Sequence, residues 1–373
     1  TLDPVFASFG ALAVDPASAL RRSSTLSDLT TLLAQLDTTA EEIQALRDES
    51  QSRIISSLEE ANSLMSGIAR LNMSIQRSSI AGVSASEAET EQQRMIDRLS
   101  EIIDIRAQKR TLGGVEVRTT DGMLLVDLDA ARLGLDSTTE GEPHPGVVMM
   151  PPRSTTETPL ETHISGGELK GLLRARDKEL VNLQLAFGEF AAGTAEALNA
   201  AHNAASTVPA PAAMIGRNTG LLEDDLLNFS GVTHIGIVDR EGNVVRNFRV
   251  DFANGEILDD QANVTPFGGA TIGALRDALN LAMDPDATIS FENGVMELET
   301  SVVDAGVVIT DDPTNPARRA GRGFSHTFGL NDLVTHGGPL SYATGLSALD
   351  NHGFIDGDIT FAMRDHDGAI VRT

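Results

Sequence analysis

Residues 26–75, LSDLTTLLAQLDTTAEEIQALRDESQSRIISSLEEANSLMSGIARLNMSI, decide the fold because their apolar residues recur every three or four positions. No proline interrupts residues 23–80, and Gly67 is the one glycine among them. This spacing places the apolar side chains on one side of a single helix. At about 1.5 Å per residue, a helix of this length extends for roughly 75 Å. We therefore predict one continuous helix from about Ser23 to Ile75 that packs against other helices.

The apolar positions of this helix fall on two tracks, each with a seven-residue period. We call ten of them the apolar stripe: Leu26, Leu29, Leu33, Leu36, Ile43, Ile54, Leu64, Ile68, Leu71 and Ile75. Arg47, Ser50 and Ser57 interrupt the same tracks, which argues against a self-sufficient coiled coil. Two uses of the stripe stay open: the core of an intramolecular antiparallel bundle, which we favour, or a surface held open for a partner chain. The stripe is the candidate surface for helix packing and assembly.

Composition narrows the class of protein. The chain has 373 residues, a formal charge of -26 and a pI near 4.5. A charge of this sign disfavours binding to nucleic acid and to anionic membranes, and no apolar run approaches 18 residues. The absence of cysteine excludes disulfides and thiolate metal sites. With no tryptophan and one tyrosine, a small-molecule pocket is less expected, because these residues commonly anchor ligands.

Outside this long helix, the N-terminal half has sequence patterns typical of helices on both sides of a segment whose pattern is typical of β-strands. A short helix containing Val5, Phe6, Phe9 and Leu12 should end near Asp15-Pro16. A second helix should run from Ser86 to Ile103, with Ser86 as N-cap and Glu89 completing a capping box. The later elements are a β-hairpin near 113–128, a proline-rich excursion at 136–167, and a helix from Glu168 to Ala204 antiparallel to the first long helix.

A linker at 206–217, which contains Pro209 and Pro211, separates the N-terminal half from a C-terminal half whose sequence pattern is mainly that of β-strands. The predicted elements there are a hairpin (233–238 and 244–252), a helix (272–283), short strands (287–291, 295–298, 306–309) and a final strand pair (358–363, 369–372). The fold class is therefore α+β: an elongated antiparallel helical rod domain with a β-hairpin, followed by a β-rich outer domain. We place the domains at 1–205 and 206–373, with a candidate insertion around 254–346 that would subdivide the second.

No motif for chemistry stands out. The chain lacks a phosphate-binding glycine loop, a dinucleotide fingerprint, a zinc helix and a nucleophile elbow. Ser325 and His326 are adjacent, but sequence neighbours rarely form a productive Ser–His pair. His326, His336, His352 and His366 lack metal-ligand spacing, and residues 365–368 are too short for a calcium loop. We expect no enzyme activity, no catalytic residue, no bound metal and no cofactor.

The order of several segments resembles the bacterial flagellar hook-associated protein 1 family. The segments that carry the resemblance are 68–75, 97–105, 114–117, 120–126, 164–173, Arg176-Asp177, Leu198-Asn199, His202 and 323–333. The chain departs from the family pattern at Thr90-Glu91-Gln92-Gln93, where family members carry an acidic-Gln-Arg-acidic cluster. It departs again at 204–207, where a Gly-Asp-Leu type of segment is usual. The terminal helical segments of the family have no counterpart, so the resemblance implies a core fragment.

The resemblance implies a structural component of the bacterial flagellum that forms the junction between hook and filament by ring assembly. The implied partners are the hook protein, the second hook-filament junction protein, further copies of the chain and a flagellar export chaperone. The implied location is extracellular, after export without a cleaved signal peptide, and the segment 1–4 has no signal-peptide pattern. The alternative is an outward-facing binding or adhesive module of a surface appendage, suggested by the β-rich half.

Overall fold

A computed structural model describes residues 2–15, 18–136, 144–207 and 209–335, together with the backbone of 363–364 and 370–372. The chain divides into two compact units, 1–191 and 192–373. A long helical N-terminal region precedes a β-rich region of antiparallel sheets, which confirms the predicted α+β fold class. The domain boundaries at 205 and 206, and the insertion around 254–346, stay a prediction.

The helices of the N-terminal region are α1 (Asp3–Val14), α2 (Ala19–Ala81), α3 (Ser86–Ile102), α4 (Gly167–Arg174) and α5 (Leu180–Asn203). Helix α2 is continuous over 63 residues, as the apolar period predicts. It begins after Ser18, whose side chain accepts a hydrogen bond from the Arg21 amide at 3.4 Å. It ends at Gly82, whose positive φ of 66° is the left-handed conformation typical of a helix C-terminus.

The first helix folds back on the start of α2. The Thr25 hydroxyl, on α2, donates to the Ser8 carbonyl, on α1, at 3.3 Å. Arg21 likewise donates to the Ala11 carbonyl. Residue numbers therefore rise along one helix as they fall along the other. Val5 and Leu29 are buried. The predicted helix at the start of the chain is therefore confirmed, and α1 and the beginning of α2 form an antiparallel helical hairpin.

Helices α3 and α4 also run antiparallel to α2. Arg98 on α3 pairs with Glu60 at 2.7 Å, and Glu168 on α4 pairs with Arg53 at 3.0 Å. A Cβ added to Gly67 would lie 2.7 Å from the Met95 sulfur, so glycine here permits close approach of α2 and α3. Three returning helices thus form the predicted antiparallel arrangement.

The predicted capping box at the start of α3 is wrong. The N-cap is Ala85, which makes no side-chain cap, and its carbonyl accepts from the Glu89 amide at 2.9 Å. The Ser86 hydroxyl instead lies 2.9 Å from the Ser84 hydroxyl. Because the helix begins one residue earlier than the sequence pattern indicates, Ser86 is already helical and its side chain does not occupy the capping position.

The predicted helix from Glu168 to Ala204 is not a uniform α-helix. A π-helical turn at Ala175–Glu179 separates α4 from α5. Such single π turns commonly occur at functional positions in helices. The periodicity of Leu169, Leu172 and Leu173 does not reveal it, because these residues all precede the π turn.

Six short strands of the described residues complete the N-terminal region. They are β1 (Ile105–Lys109), β2 (Val115–Thr119), β3 (Leu124–Val126), β4 (Arg132–Leu135), β5 (Val147–Met150) and β6 (Thr158–Pro159). They form two antiparallel three-stranded sheets, in the orders β1-β2-β3 and β4-β5-β6. The hairpin predicted near 113–128 corresponds to β2 and β3, whereas the sequence pattern does not predict β1 and β4. Strands β5 and β6 lie in the segment 136–167, which is predicted only as a proline-rich excursion. Both sheets contribute to one core with the second half of α2.

The strands of the C-terminal region begin with β7 (Ala213–Ile215), β8 (Val232–Asp239), β9 (Val244–Asp251), β10 (Glu256–Asp259) and β11 (Val264–Pro266). Helix α6 (Ile272–Met283) is followed by β12 (Ala287–Glu292), β13 (Val295–Thr300), β14 (Ala305–Asp311) and the short α7 (Phe324–Phe328). The sheets have the orders β11-β10-β9-β8-β14 and β12-β13-β7. The predicted first hairpin, the helix at 272–283 and the strands that follow it are confirmed.

Helix α6 packs into the core of this region. Its buried face includes Ile272, Leu275 and Leu279, in one cluster with Phe248 from the larger sheet and Phe291 from the smaller one. The final predicted strand pair is represented by β15 (Met363–Arg364) and β16 (Ile370–Arg372), which pair antiparallel. The remainder of that prediction, including the turn at 365–368, lies outside the described residues.

Candidate assembly surface

The apolar stripe divides into buried and exposed positions. Ile54, Ile68 and, partly buried, Leu64 pack in the core formed with the two small sheets. The other positions range from buried to exposed: Leu29, Ile43 and Ile75 are buried, Leu33, Leu36 and Leu71 are half-buried, and Leu26 is 55% exposed. Most of the stripe therefore packs within the chain's own fold. Its use as an assembly surface stays a prediction.

Four large apolar side chains, of which only Leu26 belongs to the stripe, are exposed on the α1–α2 hairpin. We call Phe6, Val14, Leu20 and Leu26 the N-terminal apolar surface; their exposed fractions are 67%, 80%, 80% and 55%. Exposed apolar side chains on one hairpin are candidates for contact with another protein. The heptad pattern includes only Leu26, because Val14 and Leu20 lie where α1 ends and α2 begins. The structure thus adds candidate residues for assembly contacts that the heptad periodicity of the sequence does not select.

The interruptions of the stripe do not break α2. The Ser50 hydroxyl donates to the Leu46 carbonyl at 2.8 Å, a bond within the helix. Ser57 is buried, whereas Arg47 extends to the π turn and donates to the Arg176 carbonyl at 3.3 Å. These three polar residues therefore leave α2 intact, and Arg47 links α2 to the π turn.

Among the described residues, Arg176 is the largest fully buried side chain, with 1% of its surface exposed. It lies in the π turn and donates to both carboxylate oxygens of Asp177, at 2.6 and 2.7 Å. Its remaining amino group donates to the Pro145 carbonyl at 3.0 Å and to the Gln51 side chain. A buried guanidinium is tolerated only when it is paired and hydrogen-bonded in this way. The Arg176-Asp177 motif therefore joins α2, the approach to β5 and the π turn.

Asn72 makes a second internal junction. Its amide nitrogen donates to the carbonyls of Val115 and Asp127, at 2.7 and 2.6 Å. Its oxygen accepts from the Val115 amide at 2.7 Å and from the Gln92 side chain at 2.9 Å. A Cβ on Gly114 would lie 2.3 Å from this oxygen, so glycine is required there. Gln92, where the sequence departs from the family pattern, thus links α3 to this junction.

A third junction forms around Asp104, between α3 and β1. The Ser165 and Thr120 hydroxyls donate to its carboxylate at 2.6 and 2.7 Å. Burial raises the pKa of Asp104, but these hydrogen bonds and those from the Ser165 and Gly166 amides outweigh it, so the pKa is lowered. Next to it, Gly167 has a φ of 88°, and a Cβ there would lie 2.5 Å from the Ile102 carbonyl. Three separate family-like segments therefore meet at one carboxylate.

The fourth junction lies within the C-terminal unit and joins the end of α5 to residues 323–334. The Asn199 side chain donates to the Val334 carbonyl and accepts from the Leu333 and Val334 amides, all at 2.8 Å. Asn203 accepts from the Ser325 hydroxyl at 2.6 Å. Segments more than 120 residues apart in the sequence are therefore connected by buried asparagines.

Ser325 and His326 do not form a catalytic pair. The Ser325 hydroxyl is committed to Asn203, and the His326 Nε2 atom lies 3.2 Å from a Glu196 carboxylate oxygen. His336, His352 and His366 lie outside the described residues. Within the described ranges, no group of three or more histidine, aspartate or glutamate side chains could hold a metal ion. In the same ranges, no helix is both long and apolar enough to cross a membrane.

Comparisons with known proteins match a family model and solved structures. A family model described as the flagellar hook-associated protein FlgK helical domain matches residues 1–210. The solved structure of the flagellar hook junction protein FlgK from Burkholderia pseudomallei is 17% identical, with a TM-score of 0.48. That match covers 88% of this chain and 58% of the other, so the chain spans less than two thirds of that protein's length. No curated protein gives a significant match.

Proposed function

Because the chain belongs to the flagellar hook-associated protein FlgK family, we propose that it is a structural component of the bacterial flagellum. In this role it forms the junction between hook and filament by ring assembly. The observation that carries the proposal is the family match over the helical region, 1–210. Exposed apolar groups on the α1–α2 hairpin support it, since a subunit of an assembly needs surfaces for its neighbours.

The proposed partners are the hook protein, the second hook-filament junction protein, further copies of the chain and a flagellar export chaperone. The proposed location is the extracellular flagellum. No catalytic step is part of the proposal, because the family is one of structural proteins. The proposed domains are a helical rod at 1–205 and a β-rich outer domain at 206–373.

Deletion of the gene in its source bacterium tests the role at the junction. We expect hooks without filaments by electron microscopy and unpolymerised flagellin in the medium, both restored by the natural gene. Normal filaments in the deletion strain would overturn the proposed function and favour the adhesive alternative. Binding of cells to a surface, compared between the two strains, measures that alternative directly.

A pair of matched substitutions tests whether the N-terminal apolar surface takes part. Leu20 and Leu281 are both exposed leucines, at 80% and 74% of their surfaces, and only Leu20 lies on the α1–α2 hairpin. Leu20→Glu should reduce the fraction of hooks that carry filaments, because a carboxylate cannot be buried at an apolar contact without cost. Leu281→Glu should leave that fraction unchanged. Equal effects of the two variants would exclude the surface.

A further inference from the structure

Strand β1 is unusual in its exposure. It is an edge strand of the sheet β1-β2-β3, and its last four residues, 106–109, are all exposed. Its neighbour β2 alternates normally: Val117 and Thr119 are fully buried, and Arg118 between them points to the other face. Arg106 is directly opposite Arg118 in the register, so both lie on the outer face of the sheet.

The strand pair is basic in an acidic protein. We call residues 105–119 the basic hairpin; its sequence, IRAQKRTLGGVEVRT, holds four basic residues and one acidic residue. The whole chain has 54 acidic and 28 basic residues, a formal charge of -26. A local charge of opposite sign to the rest of the molecule creates complementarity between copies, which steers association and selects partners.

Some of these basic groups already have a partner. Arg118 pairs with Glu116 at 2.5 Å, and Arg110 pairs with Asp127 at 2.9 Å. Arg106 and Lys109 make no ion pair with any residue of the described ranges. Like charges directly opposite on adjacent strands are destabilising. Arg106 lies opposite Arg118, whose charge Glu116 already offsets, so Arg106 is the member of this pair whose charge a partner could still neutralise.

Charged residues on an edge strand have another common role, which is to prevent further strands from adding to the sheet. Lys109 fits that role at the end of β1. Arg106 stands on the outer face, opposite a second arginine. We infer that addition of a strand to β1 is disfavoured and that a partner meets the outer face through charge.

We propose that the outer face of the basic hairpin, centred on Arg106, docks on an acidic surface of a second copy of this chain. The inference rests on the proposed function, in which copies of the chain assemble side by side. It assigns to the hairpin a polar contact between copies, separate from the N-terminal apolar surface. We choose a second copy as the partner because the hairpin is basic, whereas the rest of the chain carries a net negative charge.

Photo-cross-linking in flagellated cells tests the docking. Benzoylphenylalanine in place of Gln108, which is opposite Glu116 on the same outer face, should cross-link to a second copy of the chain in a strain that swims. Mass spectrometry identifies the attached peptide, which should be rich in aspartate or glutamate. A cross-link to a different protein, or no cross-link, would overturn the proposal.

Charge variants in the same strain supply the control. Arg106→Glu should lower the cross-link yield by roughly two- to fivefold, the range expected for loss of an exposed ion pair, and Arg106→Lys should preserve it. Arg132→Glu makes the same charge change on an exposed arginine of β4, also an edge strand, and should have no effect. Equal yields for Arg106→Glu and the natural chain would contradict docking through this charge.

The two proposals fail in different ways. Filament loss in the deletion strain with no cross-link at position 108 leaves the junction role standing and overturns the docking surface. Normal filaments in the deletion strain overturn the junction role, and a cross-link between copies would still support the contact. Because Arg106 is exposed, its variants should fold, which an unchanged circular dichroism melting curve of the purified chain verifies.

Discussion

At the scale of single residues, buried and partly buried polar side chains set the geometry of this protein. Asn72, Asp104, Arg176 and Asn203 each connect segments that are distant in the sequence. Hydrogen bonds of this kind contribute modestly when formed, but a buried group left without its partner costs more. These side chains therefore select one arrangement of helices and strands more strongly than apolar packing alone would.

Replacing Asn72 with alanine should destabilise the N-terminal unit by about 2 to 4 kcal/mol, because several buried partners lose their hydrogen bonds together. Urea unfolding followed by circular dichroism measures the change. Ser74→Ala, at an exposed polar position two residues further along the same helix, is the control and should stay within about 0.5 kcal/mol of the natural chain. Similar losses in the two variants would mean that the junction contributes nothing specific.

Asp104 gives a prediction for pH. Its pKa is lowered in the folded chain, so its contribution to stability is present above the unfolded pKa of about 3.9 and is lost as pH falls through the folded value. The stability difference between the natural chain and Asp104→Ala should be largest near neutral pH and shrink in acid. Asp37→Ala, at an exposed position, should show no such dependence. Urea unfolding at neutral and acidic pH measures both, and a difference that grows in acid would refute the assignment.

At the scale of elements, two hairpins of the larger sheet use the same turn. Turns 239–243 and 259–263 both begin with aspartate and end with asparagine. In each, the aspartate accepts from the third and fifth amides and from the asparagine side chain. The fourth residue has positive φ in both, 88° at Gly242 and 61° at Ala262. The second turn therefore holds a non-glycine residue in a conformation that suits glycine.

Ala262→Gly should stabilise the C-terminal unit by roughly 0.5 to 1 kcal/mol, because glycine adopts positive φ without the steric cost that alanine has. Gly242→Ala is the reciprocal variant and should destabilise by about 1 kcal/mol. Thermal unfolding of the two variants beside the natural chain measures these shifts. Stabilisation by both changes would show that the backbone conformation does not govern the turns.

At the scale of the whole molecule, charge is the dominant property. With 54 acidic and 28 basic residues, the folded chain concentrates negative charge and repels itself. Repulsion between exposed charges weakens as ionic strength rises, since the screening length falls to about 10 Å at 0.1 M. Salt also screens the favourable ion pairs at the surface. We expect the repulsion among the excess acidic residues to determine whether salt raises or lowers the stability of the folded chain.

The melting temperature should therefore rise by a few degrees when sodium chloride is increased from about 0.01 to 0.2 M. Differential scanning fluorimetry with an external dye suits a chain that has no tryptophan. Potassium chloride at equal ionic strength should give the same rise, which separates screening from specific ion binding. A fall in melting temperature would mean that favourable ion pairs outweigh the repulsion.

Local sequence determined much of this protein. The apolar period and the lack of breakers predict α2, the Asp-x-x-Gly-Asn turn predicts the β8–β9 hairpin, and Asp284-Pro285 marks the end of α6. Order of segments identified the family. These features depend on residues within a few positions of one another, where periodicity, turn chemistry and proline geometry act directly.

Tertiary structure decided the rest. Which stripe residues are buried, where the π turn falls, and which segments Asn72 and Asp104 join all depend on partners many residues away. Strand β1 was missed for the same reason: its short, polar and exposed sequence becomes a strand through pairing with β2. Long-range hydrogen bonds and packing leave no periodic trace in the sequence, because each contact is fixed by the folded arrangement and not by neighbours along the chain.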